Sequence, residues 1–172
     1  MAVTASATPS LNISYRLSQT SRKLTAHEEA SIGYTAFSFG DGTGIGGVNF
    51  GLRQTGLLPS GGSISIDLQS ITKHLFNTGI NVNFSDVKGV IFTNPSTTDS
   101  ATPPYFNIVA SGVDGFSGLF NSGSGDIRLR PQSTWSLTNY QGISTGPTDK
   151  KVSLIDSGSG IGYEFLVVGV TG

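Results

Sequence analysis

The hexapeptide Ser63–Leu68, SISIDL, has the clearest alternation of apolar and polar residues in the chain. Its apolar side chains, Ile64, Ile66 and Leu68, would lie on one side of an extended strand, with the polar residues on the other. This period of two is typical of a strand that places one face on a hydrophobic core. We therefore predict a half-buried β-strand at this position.

Further short stretches rich in β-branched and aromatic residues are predicted as strands, because clusters of Gly, Pro, Asn, Asp and Ser separate most of them. They lie at 12–17, 33–39, 48–53, 80–84, 87–93, 105–110, 127–129, 134–138, 152–155 and 163–168. The polar segment 18–31 is predicted as a loop or a single helical turn. Segment 69–77 is predicted as one short helix, with Asp67 as its cap and Gly79 at its end.

Length and composition favour a single all-β domain. The chain has 172 residues, of which 24 are glycine, and only 12% are charged. So many glycines and hydroxyl residues argue against a helical bundle, because these residues are poor helix formers. We predict a jelly-roll-like antiparallel β-sandwich with one short helix, spanning residues 12–172, preceded by a flexible N-terminal arm at residues 1–11.

Charge and cysteine usage exclude several classes of protein. The formal net charge is −1, which argues against a strongly basic nucleic-acid-binding protein. The chain has no cysteine, so disulfides, thiolate metal sites and thiol catalysis are excluded. No apolar run approaches about 18 residues and no signal-peptide pattern is present. We expect neither a nucleic-acid nor a membrane partner, and a product made in the cytoplasm.

Two patterns that could indicate metal or nucleotide binding are better explained by structure. His27 and His74 are the only histidines, and a zinc site needs three or four ligands. Gly42, Gly44 and Gly47 match G-x-G-x-x-G, but the residues that follow resemble a strand, whereas a dinucleotide site requires a helix. We predict no cofactor and no metal.

A third pattern, G-x-S-x-G at Gly142, Ser144 and Gly146, could indicate a serine nucleophile. A nucleophile elbow needs a helix after the turn and a histidine later in the chain. Pro147 interrupts any such helix, and no histidine follows residue 74. The chain is therefore predicted not to be an enzyme.

A basic stripe is the clearest candidate for a binding surface. Arg128 and Arg130 alternate with Ile127 and Leu129, so both arginines are predicted to lie on the strand face opposite the core. Such a stripe could contact an acidic partner or a neighbouring subunit, and an ordinary solvated face is the alternative. The single tryptophan, Trp135, is predicted to lie in the core.

Several segments together resemble a family of small virion proteins of tailed bacteriophages, the capsid decoration or cement proteins. The resemblance covers roughly residues 33–172 and rests on the order of several weak motifs. These are FGDGTGIGG at 39–47, LRQTGLL at 52–58, the strand ending in Asp67-Leu68, DVKGVIFTN at 86–94 and YEFLVVGV at 163–170. The chain has RPQS at 130–133, where the family often has Pro-Gly.

The resemblance implies a non-enzymatic head protein on the capsid exterior that binds the major capsid protein as a homotrimer. The candidate partner-binding residues are Ala2, Val3 and Leu11 of the arm, together with Arg128 and Arg130. A sandwich of this kind also suits an alternative, a tail-fibre receptor-binding or carbohydrate-binding module, because a fold does not fix a function. Tyr105, Phe106 and Tyr140 are the aromatic candidates for that alternative.

Overall fold

A computed structural model describes residues 10–20, 25–35, 40–45, 47–75, 78–97, 103–110, 114–120 and 126–172. These residues form β-strands almost throughout, with one turn of 3-10 helix at Ser117–Leu119. The strands are β1 (Ser10–Thr20), β2 (Thr25–Thr35), β3 (Gly40–Asp41), β4 (Gly47–Val48), β5 (Phe50–Leu57), β6 (Ser63–Asp67), β7 (Ile71–Leu75), β8 (Thr78–Val82), β9 (Phe84–Asn94), β10 (Phe106–Val109), β11 (Asp126–Leu129), β12 (Ser133–Ser144), β13 (Lys151–Asp156) and β14 (Gly162–Thr171).

Two four-stranded antiparallel sheets form the body of the protein. The first sheet has the order β12-β9-β14-β5 and the second β11-β10-β13-β6. When these eight strands are numbered 1 to 8 along the chain, the orders become 6-3-8-1 and 5-4-7-2. That is the strand order of a jelly roll, in which two Greek keys interlock. The predicted jelly-roll-like sandwich is confirmed.

The inward faces of the two sheets share one hydrophobic core. Alternate residues of β14, Tyr163, Phe165 and Val167, are buried against residues of the second sheet such as Phe106 and Leu154. This alternation follows from the pleat of the strands, which sends successive side chains to opposite faces. The clear pattern of β6 is also confirmed, since Ile66 is 5% exposed and Leu68 is 1% exposed.

A row of aromatic rings crosses the inner face of the first sheet. The ring centroids of Phe92 and Phe165 are 5.0 Å apart, and those of Phe92 and Trp135 are 6.1 Å apart. Phe120 stacks on the far side of Trp135 at 6.4 Å. Trp135 is half-buried and packs against the core, as predicted, at the margin of the sandwich.

The location predicted for the short helix is wrong. Residues Ile71–Leu75 form β7, which pairs with β8 as an antiparallel hairpin. Ile71 and Val82 stand opposite each other at the open end of this hairpin, and both are buried in the core. Apolar residues four apart fit either a helical turn or a strand in so short a segment, and the burial of this cross-strand pair favours the strand.

The polar segment 18–31 also differs from its prediction, because most of it is strand. β1 and β2 pair from Ser10 opposite Thr35 to Thr20 opposite Thr25. A two-stranded ribbon obtains its hydrogen bonds from its own backbone and does not require an apolar face, so composition alone did not reveal it. Residues 1–9 of the predicted arm lie outside the described residues. Ser10 and Leu11 belong to β1, so the predicted boundary at residue 12 falls inside a strand.

Candidate functional site

The outer face of the second sheet carries the predicted basic residues. Arg128 lies on β11 and Arg130 directly follows it, and both side chains are exposed while Leu129 between them is 3% exposed. The prediction that the two arginines lie opposite the core is confirmed. Among the described residues, no carboxylate lies within ion-pair distance of either guanidinium.

Arg128 is held by an aromatic ring. Its Cζ lies 4.2 Å from the centroid of the Tyr105 ring, a cation–π contact. Tyr105 precedes β10, and the pairing of Asn107 with Arg128 places β10 and β11 side by side, which brings the Tyr105 ring next to the Arg128 guanidinium. The guanidinium edge remains exposed, so its N–H donors can bind a carboxylate in the two-pronged manner typical of arginine.

Two further residues complete this surface, and no sequence pattern pointed to them. Asn107 stands opposite both Arg128 and Ile155 in the sheet. Its Oδ1 is buried and accepts no hydrogen bond from any described residue. Ile155 is 38% exposed, one of four large hydrophobic side chains that are exposed among the described residues. We call Tyr105, Asn107, Arg128 and Ile155 the β10–β11 surface; only the strand pairing brings them together.

The remaining predicted partner-binding residues lie elsewhere. Ala2 and Val3 are outside the described residues. Leu11 is in β1 and stands opposite Tyr34 of β2, in a two-stranded sheet separate from the sandwich sheets. The structure therefore groups Arg128 with Arg130 and does not join Leu11 to them.

A cleft of about 270 Å³ opens where the edge strands β5 and β6 of the two sheets lie near each other. Three isoleucines, at 64, 66 and 71, form its apolar part. Its polar lining comes from Gln54, Ser65, Asp67, Ser70, Thr72 and Tyr163. The cleft is more polar than most small-ligand sites, which are lined mainly by apolar side chains, and its hydrogen-bonding groups suit a polar ligand.

Tyr163 reaches this cleft because its neighbour has no side chain. Gly56 stands directly opposite Tyr163, and a Cβ at Gly56 would lie 2.7 Å from the tyrosine Cε1 and Oη atoms. The ring therefore lies across β5. Tyr163 is 5% exposed, and burial raises the pKa of its hydroxyl, which favours the neutral form.

A buried carboxylate ties together two loops at one end of the sandwich. Asp156 is 6% exposed, and its Oδ2 accepts backbone N–H groups from Gly61, Gly158 and Gly160 at 2.9, 3.0 and 2.9 Å. Burial raises its pKa, but the N–H donors of Gly160, Gly61, Gly158 and Ser157 together outweigh burial, so the pKa lies below its ordinary value. The carboxylate holds the β5–β6 loop against the β13–β14 loop.

The motifs weighed as catalytic or nucleotide-binding take structural positions. Gly47, the last glycine of Gly42, Gly44 and Gly47, begins β4, and β5 comes next, where a dinucleotide site would need a helix. The hydroxyl of Ser144 donates to Asp86 Oδ1 at 2.7 Å.

Within the described ranges, no three His, Asp or Glu side chains lie close enough together to hold a metal ion. In the same part of the chain, no helix has the length and apolar character required to cross a membrane.

No protein-family model matches the chain, and comparison with curated proteins and with solved structures finds no match.

Proposed function

We propose that this protein is a non-enzymatic structural protein of a bacteriophage virion, a head decoration or cement protein. It would bind the major capsid protein on the outside of the shell, after synthesis in the host cytoplasm, and stabilise the shell without a cofactor. The observation that carries the proposal is the β10–β11 surface, an exposed arginine stacked on Tyr105 beside an exposed isoleucine on a rigid sheet. The order of weak motifs at 33–172 supports the same conclusion.

Such a surface has the properties of a contact site. Stacking on Tyr105 restricts the arginine side chain before binding, which lowers the entropy lost when a partner carboxylate engages it. Ile155 adds apolar area that a partner can cover. Each contact is weak, but repetition on a symmetric shell multiplies weak contacts through avidity.

Binding to isolated shells tests the proposal. Shells that lack this protein would be titrated with the purified chain, and occupancy measured by sedimentation and by cryo-electron microscopy. We expect Arg128→Ala and Tyr105→Ala each to weaken binding about tenfold, and Arg128→Ala, which removes the charge, also to reduce its salt dependence. Arg53→Ala is the matched control, because Arg53 is already paired with Glu164 at 2.6 Å. Equal binding by Arg128→Ala and the wild type would show that the β10–β11 surface is not the binding site. Absence of any binding to shells would refute the proposal.

The N-terminal residues form the second part of the proposal. Deletion of residues 1–9, which include Ala2 and Val3 but leave Leu11 in β1, is expected to leave the sandwich folded and to weaken shell attachment. Circular dichroism checks the fold, and the shell titration checks attachment. Undiminished attachment of the truncated protein would remove these residues from the interface.

A receptor-binding or carbohydrate-binding module is the second candidate, and the cleft between β5 and β6 favours it. Its hydroxyl and amide groups could bind sugar hydroxyls, with Tyr163 at its wall. A glycan array distinguishes the two candidates. Glycan binding that Gln54→Ala abolishes, together with a location at the tail tip in virion images, would support the second candidate over the first.

A further inference from the structure

The four edges of the two sheets are not equally suited to pairing with another strand. At the edges of the second sheet, β11 has four residues and β6 has five. At the far edge of the first sheet, β12 is interrupted by a bulge between Thr138 and Ile143. Short edge strands and bulges both discourage pairing between sheets. The fourth edge, β5, is an unbroken strand of eight residues without proline.

The outward backbone groups of β5 can be assigned. Leu58 N–H bonds to Ile161 O at 2.8 Å, in the same register as the β5–β14 ladder. Because the groups of successive residues alternate in direction, those of even-numbered residues point toward β14. The N–H and C=O groups of Gly51, Arg53, Thr55 and Leu57 therefore point away from the sheet. Leu57, at the end of this row, is 79% exposed.

We infer that β5 pairs with β5 of a second copy of this chain. The two strands would run antiparallel about a two-fold axis, as in isologous dimers, and join the two first sheets into one sheet of eight strands. The inference is independent of the proposed virion function. It replaces the homotrimer implied by the resemblance with a dimer.

The side chains of β5 select the register. In an antiparallel pair, residues directly opposite each other have their side chains on the same face of the sheet. When the two strands are identical and related by a two-fold axis, this requires that one residue stand opposite the same residue of the second copy. Centring on Arg53 would set two guanidinium groups against each other, which is unfavourable. When the two-fold axis passes between the two copies of Gln54, the amide side chains of Gln54 stand opposite each other, and Arg53 of each copy stands opposite Thr55 of the other.

The same register gives the exposed Leu57 a place to pack. It stands opposite Gly51 of the second copy, where the sheet face is bare. A Cβ at Gly51 would lie 3.4 Å from Val168 Cγ1, so Val168 is the apolar surface beneath that position. Each copy would cover the exposed leucine of the other.

Single cysteines test both the edge and the register, because the chain has none of its own. In the proposed pairing, residue 54 faces its own copy at about 4.5 Å between Cα atoms, within the range for a disulfide. We expect Gln54→Cys to form a cross-linked dimer under mild oxidation, seen on a non-reducing gel. Residue 53 stands opposite residue 55 of the second copy, so in a dimer of Arg53→Cys or of Thr55→Cys the two cysteines are not opposite each other. Both variants should therefore remain largely uncross-linked. Equal cross-linking by all three, or none by Gln54→Cys, would overturn the inference.

Solution mass provides a second measurement. Light scattering on the eluting wild-type protein should give twice the chain mass of 17.9 kDa, and three times or one times that mass would overturn the inference. Thr55→Pro removes an outward N–H without breaking the β14 ladder, so it should give a folded monomer by circular dichroism. Ser65→Pro makes the same change on the outward side of β6, as shown by the Leu68 N–H bond to Lys150 O, and should stay dimeric. Dissociation by Ser65→Pro, or a dimeric Thr55→Pro, would contradict the assignment to β5.

Discussion

Asp156 shows how one residue can secure two loops. Its carboxylate is the shared acceptor for backbone N–H groups of three glycines, which lie on the β5–β6 and β13–β14 loops. These glycines have φ values of +64° at Gly61, +123° at Gly158 and +68° at Gly160. Backbone of this kind suits glycine, so the glycines shape the loops and the aspartate supplies their acceptor.

Replacing this carboxylate should cost stability. We expect Asp156→Ala to lower the free energy of unfolding by about 1–3 kcal/mol at pH 7, because three N–H groups lose their acceptor. Asp156→Asn keeps one acceptor oxygen and should lose less. Urea titrations of the three proteins measure this, and equal stability of wild type and Asp156→Ala would contradict it.

The pH dependence of stability follows from the same group. The pKa of Asp156 is lower in the folded protein than its ordinary value near 3.9, so its stabilisation is present above that value and is lost as pH falls through the folded pKa. The difference in unfolding free energy between wild type and Asp156→Asn should therefore shrink as the pH is lowered from 5 toward about 2. Urea titration across that range measures it. A difference that stays constant would show that titration of Asp156 does not contribute to the pH dependence of the free energy of unfolding.

Position 56 requires glycine because the Tyr163 ring leaves no room for a side chain, and not because of its backbone conformation. We expect Gly56→Ala to destabilise the protein by about 1–3 kcal/mol, because the new methyl group would overlap the Tyr163 ring. Gly44→Ala is the control, since a Cβ there meets nothing within 4 Å. Thermal unfolding of both variants measures the effect, and equal melting temperatures would count against the contact.

At the scale of the element, β12 departs from a regular strand where it passes Lys88. In the ladder, Thr138 stands opposite Gly89 and Ile143 opposite Val87, so four residues of β12 face Lys88 alone. Lys88 is 3% exposed, and its ammonium donates to the carbonyl oxygen of Gln141 in the bulge. The bulge therefore supplies an acceptor for a buried cation and interrupts an edge strand that could otherwise pair with other chains.

The bulge depends on a glycine. Gly142 has φ of +94°, and a Cβ there would lie 2.7 Å from Lys88 Nζ. We expect Gly142→Ala to lower the free energy of unfolding by about 1–2 kcal/mol, through an unfavourable backbone and the displaced lysine. Gly146→Ala, with open space at its Cβ, is the control for urea unfolding. An equal decrease in the free energy of unfolding in both variants would argue against a specific role for the bulge.

At the scale of the whole molecule, the jelly roll is complete within residues 50–171. All eight sandwich strands lie in this range, and the buried core cluster begins at Leu52. β1 and β2 form a separate two-stranded sheet that pairs with neither four-stranded sheet. Stability of the sandwich should thus depend little on the N-terminal hairpin.

Truncation tests this division. A chain of residues 40–172 is expected to unfold cooperatively with a melting temperature within about 5 °C of the full chain, because it retains the whole core. Removal of residues 162–172 should instead abolish the fold, since β14 lies inside the first sheet between β9 and β5. Differential scanning calorimetry measures both, and an unfolded 40–172 chain would show that the hairpin belongs to the core.

Sequence alone determined the fold class and the direction of many side chains. The alternation at Ser63–Leu68, and the placement of Arg128 and Arg130 opposite Leu129, needed only the period of a strand. These features are local, because the pleat fixes which face a side chain takes once the residue is in a strand.

The remaining features depend on contacts between residues that are distant in the chain. Segment 69–77 has local patterns that suit a helix or a strand, and the pairing of Ile71 with Val82 in the core favours the strand. The meeting of Tyr105 with Arg128, of Gly56 with Tyr163 and of Asp156 with three loop glycines depends on which strands are neighbours and in what register. That information is non-local: pairing of distant strands is chosen by the packing of the whole core, which no short stretch of sequence specifies.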